Sequence, residues 1–481
     1  MKRIWFAPAM LLLIALAATP AQAGPPARAQ GSPAVMLKDI NPQQPPALSI
    51  GPRNLTVVGE TVFFTADDGV HGRELWRTDG TPEGTAMVKD ITPGSAGDGP
   101  GSLVALNQST LLFSADDGIH GRELWKTDGT EAGTRLVKDI MPGAGGSRDV
   151  FDYNTLLNGV VIFRSNDGRG AEPWRTDGTE AGTRLIKDIN PGPGPEWDYG
   201  MPKPAAGGGW MYFTTDDGVH GDELWRTDGT AAGTTLVKDV RSGAVGSDIA
   251  VMIYANDALY FTSNTGNGIF QMALWRSDGT AAGTAIDRVV STAGRHGEYQ
   301  TSLYNLRGAL YFIAPYGGGC DLHGPQFEHY FPFCSYGLIE AGDAIFMGAG
   351  DEATGAELWR TDGTETGTGI VKDIRPGAGH AYPSHLTFAG GWIFFSAIDG
   401  VHGAELWRSD GTESGTSLVQ DINPAGDGMS NVGDGAPDGI MVAAGRRLLF
   451  VADDGVHGEE LWALSLEPDL ARRLFIPQIG N

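Results

Sequence analysis

Residues 67–85 read "DDGVHGRELWRTDGTPEGT", and near-copies of this stretch begin at Asp116, Asp216 and Asp399. The tryptophan of each "ELW" marks the period, which is 49, 49, 51 and 50 residues over the first five copies. These tryptophans are Trp76, Trp125, Trp174, Trp225, Trp275, Trp359, Trp407 and Trp462. A fixed period of this length is typical of proteins built from stacked repeats.

Each repeat is predicted to contain four strands, and the second repeat shows them well. Its segments "SLVAL" (102–106), "TLLFSA" (110–115), "RELWKT" (122–127) and "RLVKDI" (135–140) are aliphatic or β-branched and are bounded by turn residues. Short Asn-Gly and Gly-Asp connections such as 158–159 and 342–343 suit tight hairpins. The repeat therefore predicts an antiparallel four-stranded meander, and a ring of such meanders is an all-β propeller.

The two ends of the chain predict that the ring is closed by the N-terminal strand. The last repeat stops after "EELWALSL" (459–466) without a fourth strand. The segment "VMLKDI" (35–40) matches the fourth strand "AMVKDI" (86–91), yet no repeat precedes it. We therefore expect one propeller domain over residues 35–466.

The number of blades depends on one irregular repeat. Eight predicted third strands carry the tryptophan, whereas nine hairpins of first and second strands are present. The extra hairpin (302–314) is followed by "HGPQFEHY" (323–330), which aligns loosely with "HGRELWRT" (71–78), and no fourth strand is evident. We expect eight full blades plus one truncated blade at about 302–336. An eight-bladed ring with an inserted flap is the alternative.

The units resemble the bacterial ELWxxDGT repeat, a tandem repeat of exported proteins. The resemblance extends over nearly all of the chain after residue 23, and it implies a secreted repeat protein with a propeller fold. It implies no reaction and no catalytic residues. Three units depart from the motif: Pro173 replaces leucine, "MALW" (272–275) lacks the glutamate, and the sixth unit has no tryptophan.

The N-terminus predicts export. Lys2 and Arg3 precede an apolar run (4–18) and the small-residue site "AQA" (21–23), which together indicate a signal peptide over residues 1–23. A flexible leader (24–34) and a C-terminal tail (467–481) flank the domain. No other segment predicts a membrane span, so we expect a secreted or periplasmic protein. The two cysteines, Cys320 and Cys334, are then predicted to form a disulfide.

The net charge limits the partners. It is -25 for the whole chain and becomes -27 without Lys2 and Arg3. Such an acidic surface repels phosphate backbones, which argues against nucleic acid and favours cations or basic partners. We expect a monomer that meets a protein or a glycan at the cell surface.

The acidic loops are candidate calcium sites. In a meander, the "DDGxHG" loops and the ends of the "KDI" strands lie on one face, so their carboxylates should form a ring. Carboxylates and carbonyls are the ligands that Ca²⁺ prefers; aspartate before glycine also stabilises a turn without metal. One histidine per repeat is too few ligands for zinc. The candidate calcium ligands are Asp67, Asp68, Asp90, Asp116, Asp117, Asp139, Asp216, Asp217, Asp239, Asp453 and Asp454.

The irregular repeat contains the candidate ligand-binding residues. Its segment "YGGGCDLHGPQFEHYFPFCSY" (316–336) concentrates aromatic and titratable side chains outside the regular scaffold. Either it recognises a ligand or it covers a defective blade as a hydrophobic plug. The candidate binding residues are Tyr316, His323, Phe327, Glu328, His329, Tyr330 and Phe331.

The sequence favours a binding, adhesion or scaffold module over an enzyme. It contains no G-x-S-x-G or H-E-x-x-H pattern. The alternative is a propeller enzyme that acts on glycans, or a relative of the quinone-dependent dehydrogenases. Those dehydrogenases are similar in outline, but their blade tryptophan follows a Thr-Gly turn, whereas here it precedes Asp-Gly-Thr.

Calcium should stabilise the protein if the acidic loops bind it, since a ligand of the folded state raises its stability by about 2.7 kcal/mol at a hundredfold excess over Kd. We expect calcium to raise the melting temperature in calorimetry, and the Asp67→Asn, Asp68→Asn double variant to reduce the rise. An equal rise in monovalent salt of the same ionic strength would identify screening instead.

Overall fold

The computed structural model describes residues 33–42, 51–94, 99–143, 145–147, 152–192, 202–264, 272–291, 302–316, 319–325, 328–429 and 440–466. These residues form strands and turns without a helix, arranged as nine four-stranded antiparallel sheets. The all-β propeller prediction is confirmed. The predicted signal peptide, most of the leader and the C-terminal tail lie outside the described residues. Within the described ranges, no helix is long and apolar enough to cross a membrane.

Each sheet is one blade with its strands in the order first to fourth. Blade one is formed by Arg53–Val58, Thr61–Asp67, Arg73–Thr78 and Ala86–Lys89. Blade two is formed by Gly101–Asn107, Thr110–Asp116, Arg122–Thr127 and Arg135–Lys138. Blade three is formed by Asp152–Leu157, Val160–Asn166, Ala171–Thr176 and Arg184–Leu185. Blade four is formed by Ala205–Gly207, Trp210–Asp216, Asp222–Thr227 and Thr235–Lys238. Blade five is formed by Val251–Ala255, Ala258–Asn264, Met272–Ser277 and Ala285–Ser291. Blade six is formed by Ser302–Leu306, Ala309–Tyr316, Gly319–His323 and Glu328–Phe331. Blade seven is formed by Phe333–Ala341, Ala344–Asp351, Gly355–Thr361 and Gly369–Lys372. Blade eight is formed by Ser384–Ala389, Trp392–Ile398, Ala404–Ser409 and Ser417–Gln420. Blade nine is formed by Met441–Ala444, Arg447–Asp453, Glu459–Ser465 and Val35–Lys38.

The N-terminal strand completes blade nine, as predicted. Val35–Lys38 pairs antiparallel with Glu459–Ser465, and Met36 lies opposite Trp462. The first strands of neighbouring blades contact one another all the way round, including those of blades nine and one. The ring is therefore closed, with the first strands innermost.

The tryptophans pack in the core between blades, as their repeated position predicts. They are 5–8% exposed. In blade one, the Trp76 ring stacks on Phe64 with centroids 6.3 Å apart, and both belong to one buried cluster with Leu449 and Leu461 of blade nine. Burying a tryptophan removes 150–250 Å² from water, which contributes about 4–6 kcal/mol as an upper bound.

A lysine from the preceding blade lies over the ring of three of these tryptophans. Lys38 Nζ lies 5.6 Å from the centroid of the Trp76 ring, and it donates a hydrogen bond of 3.4 Å to the Thr85 carbonyl. Lys89 and Lys187 repeat both contacts in the next blade round. The "KDI" lysine of one repeat therefore joins it to the "ELW" and "DGT" segments of the next.

The prediction that the sixth blade is truncated is wrong. Its third strand is Gly319–His323 and its fourth is Glu328–Phe331, so the ring has nine complete blades. The alignment of residues 323–330 with a third strand is wrong because the connections between the strands of blade six are short. Only residues 317 and 318 separate the second and third strands, whereas five residues separate them in blade one.

The cysteines lie on adjacent blades rather than around one loop. Cys320 is in the third strand of blade six and is 1% exposed, and Cys334 is in the first strand of blade seven. A disulfide between them would join the two blades. The side chain of Cys334 is outside the described part of the chain, so the disulfide stays a prediction.

Removing the closing strand should destabilise the ring. Deletion of residues 24–40 exposes the edge of Glu459–Ser465 and removes the hydrogen bond of 3.0 Å from the Ile40 amide to Glu460 Oε1. We expect a lower melting temperature than in a control that lacks only residues 24–32. Identical melting curves for the two truncations would contradict closure.

Candidate functional site

The "DDGxHG" loops hold themselves together. In blade one, Asp67 Oδ1 accepts the Gly69 amide at 2.8 Å, and Asp68 Oδ1 accepts the amides of Val70 and His71 at 2.9 and 2.8 Å. The other oxygen of Asp68 lies 2.7 Å from His71 Nδ1. The same Asp–His pair recurs in blades two, four, eight and nine. The repeated histidine therefore fixes a turn.

The glutamate of "ELW" accepts hydrogen bonds from backbone amides just after the fourth strand. Glu74 accepts the amides of Ile91 and Thr92, both at 3.1 Å, through its two carboxylate oxygens. Burial nevertheless raises the pKa of Glu74 to about 7, because desolvation outweighs the donated hydrogen bonds. Burial also raises the pKa of Glu223, Glu357 and Glu405 to about 7 and that of Glu460 to about 8.

The structure brings the candidate calcium loops beside the "KDI" ends, as expected. The pKa of His71 is raised by its hydrogen bond to Asp68 and further by the charges of Asp68 and Asp90. Asp90, Asp139 and Asp239 each keep Oδ1 buried without a hydrogen-bond partner in the described residues. However, no three of these loop carboxylates come within 4.8 Å of one another in the described ranges. Calcium binding here stays a prediction.

Blade six carries different side chains at three positions that recur in the other blades, two of them used for packing and one, that of Glu74, for hydrogen bonds. Phe312 lies opposite His323, as Phe64 lies opposite Trp76. By this register, "DLH" (321–323) occupies the place of "ELW". Glu328 lies opposite His323, where regular blades place an aliphatic residue opposite the tryptophan.

Asp321, His323 and Glu328 form a compact group. One potential ligand atom from each lies within 4.8 Å of the other two, and this is the single group of three of this kind within the described residues. The His323 ring stacks on Phe312 with centroids 4.3 Å apart. Burial lowers the pKa of His323, against the charges of Glu328 and Asp321, and it raises the pKa of Asp321. Arg288 of blade five further opposes protonation of His323.

The remaining candidate binding residues divide between surface and core. His329 Nδ1 lies 3.0 Å from Glu365 Oε1, and Tyr330 is 46% exposed. Phe331 is a core residue, 1% exposed, whose ring packs edge-on against Trp359. Phe327 and the side chain of Tyr316 lie outside the described part of the structure.

An exposed aromatic stack was missed by the sequence analysis. The rings of Phe333 and His380 lie 4.6 Å apart edge to face, and those of His380 and Tyr382 stack at 5.0 Å. Phe333 and Tyr382 are 36% and 47% exposed. They lie at the entry to the first strands of blades seven and eight, and Tyr382 is held at φ 48°, which is rare for a bulky residue. The unrepeated "HAYP" (380–383) was the available signal.

No protein-family model matches the chain, and no curated protein matches it. Solved structures similar to it include a puromycin-hydrolyzing peptidase of Mycobacterium tuberculosis, at 14% identity and a TM-score of 0.38, covering 72% of this chain and 57% of that one. The β-propeller domain of the Trilobed protease from Pyrococcus furiosus matches at 12% identity and a TM-score of 0.31, covering 64% and 92%. TolB from Acinetobacter baumannii matches at 8% and 0.30, covering 56% and 61%. This chain thus spans less than two thirds of the peptidase, and nothing about activity follows.

The buried glutamates and the loop histidines should make the fold most stable at mildly acidic pH. Both kinds of group have a raised pKa in the folded state, so their stabilisation is present at low pH and is lost as the pH rises, through about 7 for the glutamates and above the ordinary histidine pKa for His71. We expect the melting temperature in calorimetry to fall between pH 5 and pH 8. A Glu74→Gln, Glu405→Gln variant should show a shallower fall. A melting temperature that rises over this range would contradict the assignment.

Proposed function

We propose that this protein is an exported binding module that holds a glycan against the aromatic stack of Phe333, His380 and Tyr382. The stack is the observation that carries the proposal, because Phe333 and Tyr382 expose their rings at the entry to the innermost strands, outside the repeated motif, while His380 between them accepts the Ala356 amide of blade seven. An aromatic ring offers a large apolar face. Exposed apolar patches on a protein surface mark interaction sites. Sugar rings offer the flat C–H faces that such rings stack against.

The distribution of polar groups supports binding over catalysis. In the regular blades, Asp68, His71 and Glu74 and their copies are occupied by turn and strand contacts. The unrepeated group of Asp321, His323 and Glu328 lies on the third and fourth strands of blade six, away from the innermost strands. An enzyme acting at the central channel, whether on glycans or with a quinone, would need such a group at the channel mouth.

A protein partner is the second candidate. Four successive blades each expose one β-branched side chain at the tip of the "DDGxHG" loop on the same face as the aromatic stack. These are Val401, Val456, Val70 and Ile119, which are 80%, 68%, 63% and 71% exposed. Together with the adjacent aspartates, they would suit a basic partner with apolar contacts.

A glycan array tests the proposed function. We expect the wild-type protein to retain a subset of glycans, and Tyr382→Ala to weaken binding about tenfold, equivalent to about 1.4 kcal/mol. Phe388→Ala is the matched control, because Phe388 is 44% exposed but lies near the hairpin at the opposite end of the same strand. It should bind like the wild type.

The outcomes separate the two candidates. Absence of any glycan binding, or equal loss with Phe388→Ala and Tyr382→Ala, would contradict the glycan proposal. If binding to intact cell surfaces is lost in a Val401→Ser, Val456→Ser variant and kept in Tyr382→Ala, the protein partner replaces the glycan.

A further inference from the structure

Blade six carries different side chains at three positions that recur in the other blades. In the Trp-bearing blades, the tryptophan lies opposite an aliphatic residue of the fourth strand. These residues are Met87, Leu136, Leu185, Leu236, Ile286, Ile370 and Leu418, with Met36 in blade nine. In blade six the tryptophan position is His323, the aliphatic position is Glu328 and the glutamate position is Asp321. Two of these exchanges replace apolar side chains with polar ones, and the third keeps a carboxylate beside them, which packing alone does not explain.

We propose that Asp321, His323 and Glu328 bind one divalent transition-metal ion at the face of blade six that packs against blade five. This site is separate from the aromatic stack of the proposed function and does not depend on it.

The strand register places the three ligands on one side of the sheet. Asp321 and His323 are two residues apart on the third strand, so their side chains point to the same face. Glu328 is the direct antiparallel partner of His323 on the fourth strand. Tetrahedral ligands at about 2.0–2.2 Å from a zinc ion lie about 3.3–3.6 Å from each other. The distance of 3.5 Å from His323 Nδ1 to Glu328 Oε2 fits that spacing.

No described group makes a hydrogen bond of normal length with the His323 ring. Its Nδ1 is 3.5 Å from Glu328 Oε2, beyond the usual N–O hydrogen-bond distance. Its Nε2 is buried and has no hydrogen-bond partner among the described residues. The side chain is only 13% exposed, so water satisfies it poorly. A buried imidazole without a normal hydrogen bond destabilises the fold, whereas a metal bound at Nδ1, the nitrogen that faces Glu328, would use the lone pair and leave the ring proton on Nε2.

The donor set selects the kind of ion. One imidazole nitrogen and two carboxylate oxygens suit zinc or manganese, while Ca²⁺ takes six to eight oxygen ligands. The Glu328 side chain is 64% exposed, so solvent reaches the site from one side. Three protein ligands leave a fourth position for water or for a donor atom of a bound molecule. The ion would also join the third and fourth strands of blade six.

Zinc binding to the full-length, tag-free protein tests the site. After chelator treatment and desalting, zinc chloride is titrated by calorimetry, and retained metal is measured by elemental analysis. We expect one zinc ion per chain, at least tenfold weaker binding in Glu328→Gln, and no retained zinc in His323→Ala. Cobalt in place of zinc should give a visible absorption band that His323→Ala lacks.

Control variants localise the metal. Glu365→Gln, at another exposed carboxylate near blade six, and Asp67→Asn, Asp68→Asn, in the acidic loops, should both retain one zinc ion. The triple variant Asp321→Glu, His323→Trp, Glu328→Leu restores the pattern of the other blades, so it should fold and bind no zinc. Absence of zinc from the wild type would overturn the proposal. So would one zinc ion per chain in the folded triple variant, or in folded Glu328→Gln with unchanged affinity.

Discussion

Every blade of this molecule has two apolar faces and can bury them only between two neighbours. That constraint makes closure of the ring a condition for the stability of each part, and the pairing of Val35–Lys38 with Glu459–Ser465 fulfils it. The repeated letters serve the same constraint. The tryptophan fills the space between blades, and the lysine of one repeat reaches the carbonyl of Thr85 or its equivalent in the next. The repeated motif therefore specifies the contacts between neighbouring blades more than the structure of a single blade.

Near-identical repeats do not imply a series of identical ligand sites. The charged residues of the motif mostly bind to their own loop: Asp68 to His71, and Glu74 to the amides that end the fourth strand. Chemistry is therefore best sought where the motif changes. Two such places are blade six, where histidine and glutamate replace apolar residues beside Asp321, and the connection that carries His380 and Tyr382.

The fold was readable from the sequence because its signals are local. Turn residues, alternating strands and the unpartnered segment 35–40 were enough to predict meanders and their closure. Blade six was misread because the alignment relied on a tryptophan that is absent, and because its short connections shift the third strand to Gly319–His323. The group of Asp321, His323 and Glu328 depends on cross-strand register. The aromatic stack joins Phe333 to residues 47 and 49 positions further on, in the connection to the next blade. Neither follows from spacing alone.

The closing strand also constrains the order in which this protein folds. The Ile40 amide and its acceptor Glu460 are 420 residues apart in the chain. Contacts of such high sequence separation form slowly, because the entropy of closing the intervening chain is lost before the contact forms. The N-terminal strand must therefore wait until the ninth blade exists. Until then the intermediate presents an open strand edge and two uncovered apolar faces, which are the surfaces on which unfinished β-proteins aggregate.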